Sequence, residues 1–198
     1  MALNIFTHLG ISRGIMAAIE RNLDIKLDKI GFMLGNIRPD LDSRLSSIPH
    51  LKKAAMDFVS SEIQNLLAAD FKTSKDSLRE FSERLGIITH YLSDFFCYAH
   101  SEHFTGNMLK HYMYENRLSI YCRKNRAAAW GQSDGKAAGA GADHLSICGY
   151  IDSMHGEYIR SGSKPSHKRD MGYTMEITSV FCISVIRACM RDEISVAA

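Results

Sequence analysis

The sequence predicts an all-α fold, a single-domain multi-helix bundle. Three observations carry this. Apolar residues step by three and four through several long segments. No set of alternating apolar–polar runs supplies the partner strands a sheet would need. A chain of 198 residues with 45% hydrophobic content is long enough and apolar enough for one sizeable core. One domain over residues 1–198 is the expectation.

Residues 6–22 read as a first helix, with Thr7 as a cap, His8 in the first turn, and Leu9, Ile15 and Ile19 on one side. Gly10 and Gly14 weaken it. Residues 23–34 mix two periods. Leu23, Ile25 and Leu27 alternate, whereas Ile30, Met33 and Leu34 step helically, and a short helix is preferred for want of a partner strand. Gly35 and Pro39 make residues 35–49 a loop. Residues 51–67 form an amphipathic helix on Leu51, Ala55, Phe58, Val59, Ile63 and Leu66, with His50 at its start. Ser77 and Glu80 have capping-box spacing. The helix after them carries Leu78, Phe81, Leu85, Ile88, Leu92 and Phe95 on one stripe. His90 lies ~200° round from Ile88, so it and Asp94 face away from that stripe. A helix used on two sides belongs at the centre of the bundle.

A further helix is expected over residues 100–125, fraying near Gly106. Residues 127–142 read as a flexible Gly/Ala-rich connector. Residues 144–159 are helical, 161–169 a basic loop, and Asp170 caps a last helix running to about residue 191. The total is six or seven helices.

The formal charge of +2 gives no argument for a nucleic-acid surface or a polybasic membrane anchor. No secretory signal is visible at the start, and the longest apolar stretch, residues 180–186, is too short to span a bilayer. The five cysteines lack a paired framework spacing and read as reduced thiols, which points to the cytoplasm.

The chemistry concentrates between residues 87 and 115. His90 and Asp94 are four apart, as are His111 and Glu115, and His100 falls between the pairs. On a helix, side chains four apart share a face and reach one ion without moving the backbone. Imidazole and carboxylate are zinc's usual nitrogen and oxygen ligands. With His8, Asp40 and His50 upstream, eight candidate ligands are present, enough for more than one ion. Two or three clustered zinc ions suit phosphoester hydrolysis, because ions ~3.5–4 Å apart clamp the attacking and leaving oxygens. His144 and Cys148 are also four apart but lack further ligands.

The order THLGIS, GNIRPD, a histidine, LGIITHYLSDFFCYAHSEH and HYMYE resembles the zinc-dependent phospholipase C family, whose fold is shared with fungal zinc-dependent single-strand nucleases. The likeness covers residues 6–115 by motif. It implies a hydrolase of phosphate esters, most simply a phosphodiesterase acting on a phospholipid or a soluble phosphodiester. It implies two zinc ions and offers a third. His50, His90 and Asp94, with Asp40, would hold one; His100, His111 and Glu115 the second; His8 and Asp94 the third, with Asp94 bridging. In the family the third ion also takes the amino terminus of a chain beginning with Trp, whereas this sequence begins Met1-Ala2 and its one Trp is Trp130. Asp40 would be the catalytic carboxylate beside the attacking water. Leu41 stands where the secreted lecithinases have an aromatic of the choline pocket, which disfavours phosphatidylcholine. A nuclease or nucleotidase on the same fold, or a zinc-binding helical protein without turnover, are the other readings. No stable nucleic-acid complex is expected.

Overall fold

The computed structural model describes residues 5–71, 73–125 and 143–196, with side chains to residue 190. The Gly/Ala-rich connector, Trp130 and the Met1-Ala2 terminus lie outside the described residues. Nine helices and one 3₁₀ turn follow in order among the described residues: α1 Ile5–Asn22, α2 Lys29–Gly35, α3 Arg38–Leu41, α4 Ser43–Ser46, α5 Lys52–Leu67, α6 Lys75–Phe95, the turn Tyr98–His100, α7 Met108–Lys124, α8 His144–Arg160 and α9 His167–Val196. Those residues contain no strand, so the fold is all-α.

The helix α6 is the axis of the bundle. Every residue from Leu85 to Cys97 is buried, and α1, α2, α3, α5 and α9 all pack on it. Its apolar stripe joins Ile15, Ile19, Phe32, Val59 and Ile183 in one core. The opposite face takes His90 and Asp94 inward too, as the two-sided pattern implied. Helix α2 lies very close to α6, and two glycines permit it. A Cβ on Gly35 would collide with the Glu83 carbonyl, and one on Gly86 with that of Phe32.

Local signals place several elements differently from the sequence expectation. The capping box on α6 pairs Ser74 with Ser77, not Ser77 with Glu80: the Ser74 hydroxyl accepts from the Ser77 N–H, and the Ser77 hydroxyl from that of Ser74. A serine thus does at the third position what Glu was expected to do. Residues 23–28 are not helical, because Asp28 caps α2 by accepting from the Gly31 N–H. The loop at 35–49 contains α3, begun by Pro39 in its first turn, and α4, capped by Asp42. Helix α7 starts at Met108 with Asn107 as its cap, so His100 stands on the 3₁₀ turn rather than in that helix. The last helix begins at His167, and Asp170 is wholly buried in its first turn instead of capping it. The segment His167–Met190 is long and apolar enough by length and composition to cross a bilayer, but 67% of its apolar window is buried in the bundle, as befits a core helix.

Candidate metal centre

The eight predicted ligands come together from six parts of the chain. His8 enters from α1, Asp40 from α3, His50 from the link before α5, His90 and Asp94 from α6, His100 from the 3₁₀ turn, and His111 and Glu115 from α7. They form three groups, the first two sharing His90, in which potential ligand atoms lie within 4.8 Å of one another: His8, His90 and Asp94; Asp40, His50 and His90; His100, His111 and Glu115.

Asp94 is the meeting point. Its Oδ2 lies 3.0 Å from His50 Nδ1 and 3.4 Å from His90 Nε2. Its Oδ1 lies 3.6 Å from His8 Nε2 and 3.8 Å from His100 Nε2. The two oxygens therefore face different groups, as a bridging carboxylate requires. Asp40 Oδ1 completes the deep part, 3.9 Å from His50 Nδ1 and 3.8 Å from His90 Nε2. The rings of His8 and His90 stack at 4.0 Å. On the outer side, Glu115 Oε1 accepts from His100 Nε2 at 3.0 Å and His111 Nε2 at 2.7 Å.

The donor set fits zinc. Imidazole nitrogens with a few carboxylates favour it over magnesium or calcium, which take oxygen shells. His90 is set in the required tautomer. Its Nδ1 lies 2.8 Å from the Asn36 carbonyl, which can only accept, so Nδ1 carries the proton and Nε2 presents its lone pair to the centre. The close α2–α6 approach allowed by Gly35 and Gly86 brings that carbonyl to the ring. Buried polar atoms without a hydrogen-bond partner among the described residues cluster here: both ring nitrogens of His8, His50 Nε2 and Asp40 Oδ2. Such atoms are costly unless something satisfies them.

The electrostatics agree. Burial foremost lowers the proton affinity of the His8 and His90 imidazoles; for His90 the neighbouring His8 and His50 add to it against the pull of Asp94, and for His8 the pull of Asp94 and Glu115 is opposed by His50 and His100. Burial opposes ionisation of Asp94, but His100, His90, His50 and His8 outweigh it and hold its carboxyl far below the usual range. Glu115 is likewise lowered by His100 and His111 against the cost of burial. Asp40 moves the other way: burial first, then the Asp94 charge, push it up to about 7.

Supporting residues were missed in the sequence. The Asn36 carbonyl is one, and backbone oxygens carry no residue-type signal. Asp170 is another. Its Oδ2 accepts from the Tyr98 N–H at 2.8 Å and the Tyr114 hydroxyl at 2.6 Å, and its Oδ1 from the Tyr158 hydroxyl at 2.9 Å. Tyr98 precedes His100 by two and Tyr114 precedes Glu115 by one, so one buried carboxylate ties down both segments of the outer group. Its acidic place in a helix start hid this role. His144 and Cys148 instead share Ser60, whose hydroxyl lies 2.9 Å from His144 Nε2 and 3.7 Å from the Cys148 sulfur. They are a polar contact between α5 and α8.

An all-α bundle built around a cluster of imidazoles and carboxylates has the build of a metal-binding helical protein. The chain belongs to the zinc-dependent phospholipase C family, whose model matches residues 7–164 and so spans all eight predicted ligands. No curated protein and no solved structure matches it.

Proposed function

We propose that the protein is a zinc-dependent hydrolase of phosphate esters, acting as a phosphodiesterase of phospholipase C type. The single observation that supports this most is the convergence on Asp94, one buried carboxylate facing four imidazoles drawn from three metal-competent groups. His50, His90 and Asp94 with Asp40 would hold one zinc, His100, His111 and Glu115 a second, and His8 with Asp94 a third. Zinc, when bound, supplies Lewis acidity toward the phosphoryl oxygens and lowers the pKa of a bound water to about 7.

The chain's own groups do the rest. Asp40, whose Oδ1 lies 3.9 Å from His50 Nδ1 and 3.8 Å from His90 Nε2, is placed beside the first zinc's ligands to orient the attacking water and take its proton. Asp94 stays ionised throughout and fixes the spacing of the two groups. The Asn36 carbonyl and the Asp170 cluster keep His90, His100 and Glu115 from turning away. The substrate would be a phospholipid or a soluble phosphodiester.

Metal content and hydrolysis of a chromogenic phosphodiester, measured together for wild type and His90→Ala, test the reading. Loss of both zinc and activity in the variant is expected. Stoichiometric zinc in a wild-type protein that cleaves no diester, monoester, phospholipid or nucleic acid would point to the non-catalytic alternative.

A further inference from the structure

Helix α7 has two working faces. Its inward face holds His111, Glu115, Leu118 and Cys122, of which the last three are buried. Its outward face is unusually apolar for an exposed surface. Met108, Leu109, Tyr112, Met113 and Ile120 are each between 43% and 64% exposed. At ~100° per residue these five fall within one arc of ~140°; Met108, Leu109, Tyr112 and Met113 form its contiguous part, and Ile120 lies beyond Asn116, with the exposed Arg123 in the same arc. Exposed large hydrophobics are unremarkable singly, but a contiguous stripe marks a surface that meets something.

The edge of the stripe says what. Lys110, Arg117 and Lys124 are all exposed and succeed one another at seven-residue intervals. Seven residues drift only ~20° on a helix, so the three cations run in a row beside the apolar stripe. An apolar stripe bordered by a basic row is the pattern of a helix lying on an anionic lipid surface, with apolar side chains among the acyl chains and cations among the phosphates. The chain's net charge of +2 makes this row a local feature and not a consequence of general basicity.

We propose that the outward face of α7 docks on an anionic phospholipid surface, bringing the edge of the His100–His111–Glu115 group to the headgroups. The choice of a lipid occupant rests on the phospholipase C reading, and the docking itself needs no catalysis. Because His111 and Glu115 stand on the adjoining face of the same helix, a docked α7 sets the candidate centre beside the bilayer.

Sedimentation with vesicles in EDTA tests this independently of turnover. The full chain is expected to bind phosphatidylcholine vesicles doped with phosphatidylglycerol, to bind pure phosphatidylcholine vesicles much less, and to release as salt rises. Lys110→Glu with Arg117→Glu should weaken binding ~30-fold or more, taking about 1 kcal/mol per cation at an anionic surface. Leu109→Ser with Met113→Ser should weaken it by a similar factor, with circular dichroism unchanged. Equal binding to both vesicle types, or unaltered binding by both variants, overturns the proposal. A change of oligomeric state in Leu109→Ser with Met113→Ser, without a change in vesicle binding, assigns the stripe to a second copy and overturns it too. Hydrolysis by the zinc-loaded protein separates the two ideas: docking with no cleavage of any diester, monoester, phospholipid or nucleic acid removes the enzyme reading and leaves this surface, and hydrolysis without docking removes only this surface.

Discussion

The deep and outer halves of the candidate metal centre are built by different means. The deep half, His8, Asp40, His50, His90 and Asp94, draws on four separate segments and sits on the most buried stretch of α6, where the His90 side chain has no exposed surface. The outer half has a helical pair, His111 and Glu115, plus one residue on a 3₁₀ turn, and the His111 side chain is 19% exposed. The deep half is held by packing: two glycines let α2 lie against α6, and a main-chain carbonyl fixes His90. The outer half is held by a polar hub, Asp170, reached by two tyrosine hydroxyls and a backbone N–H. Packing resists change residue by residue, whereas a hub concentrates the risk in one side chain.

Removing what the halves share should have the largest effect. Asp94→Asn keeps the size of the side chain but removes the charge that four imidazoles face. A fall in zinc affinity of well over ~100-fold, the upper range for an outer partner of a metal ligand, is expected at both halves, together with loss of diester hydrolysis. Titration with a zinc-sensitive dye after removal by chelator measures it. Retention of one tightly bound zinc would show that the halves are independent and that Asp94 does not join them.

Asp170→Asn should separate the halves. Three donors converge on the two carboxylate oxygens, so an amide places an N–H₂ against at least one of them. The cost of an unsatisfied buried donor is about 1–3 kcal/mol, read as a lower midpoint in urea. Beyond that, zinc affinity of the outer half should drop ~10–100-fold while the deep half keeps its own. A general loss of stability would weaken both halves alike, so an equal loss at both would reduce Asp170 to a structural role.

The same contrast explains what could be read in the sequence. His90/Asp94 and His111/Glu115 were legible because helical spacing converts sequence distance into shared direction. That α6 is buried on two sides followed from its apolar stripe and a second face bearing polar ligands. His8, Asp40 and His50 carry no local periodicity: residue type made them candidates, and the resemblance alone gave each a place in a ligand set. The boundary of α7 was misplaced because His100 lies on a tight turn just upstream, and the true cap, Asn107, looks like any loop asparagine. The Asn36 carbonyl and the Asp170 hub were illegible in principle: one is backbone, and the other depends on the meeting of the 3₁₀ turn, α7, α8 and α9.

The smallest expected effect concerns His155 on α8, which belongs to neither half but faces a residue beside each. Burial foremost, then the charge of Lys52, two residues from His50, lower its pKa to about 4, against Glu102, two residues from His100, and Asp152. Its ring packs edge-on to Phe96 at 5.7 Å, just past the end of α6. His155 is therefore neutral in the fold and takes up a proton more readily once unfolded, where its pKa is about 6.5. The unfolded state binds the extra proton between about pH 6.5 and pH 4, so folding stability is full above that window and falls as pH drops through it. The site is partly open to solvent, so the loss should be only about 1 kcal/mol. His155→Gln should abolish that component. Urea unfolding of both proteins in EDTA, at pH 7.5 and pH 5 by design, isolates it as the difference between two differences, free of metal release and of every other titrating group. An equal loss in wild type and variant would mean that His155 is as free to protonate in the fold as outside it. Acid sensitivity of the fold would then rest on other imidazoles whose proton affinity burial lowers, His167 and the candidate centre's His8 and His90 among them.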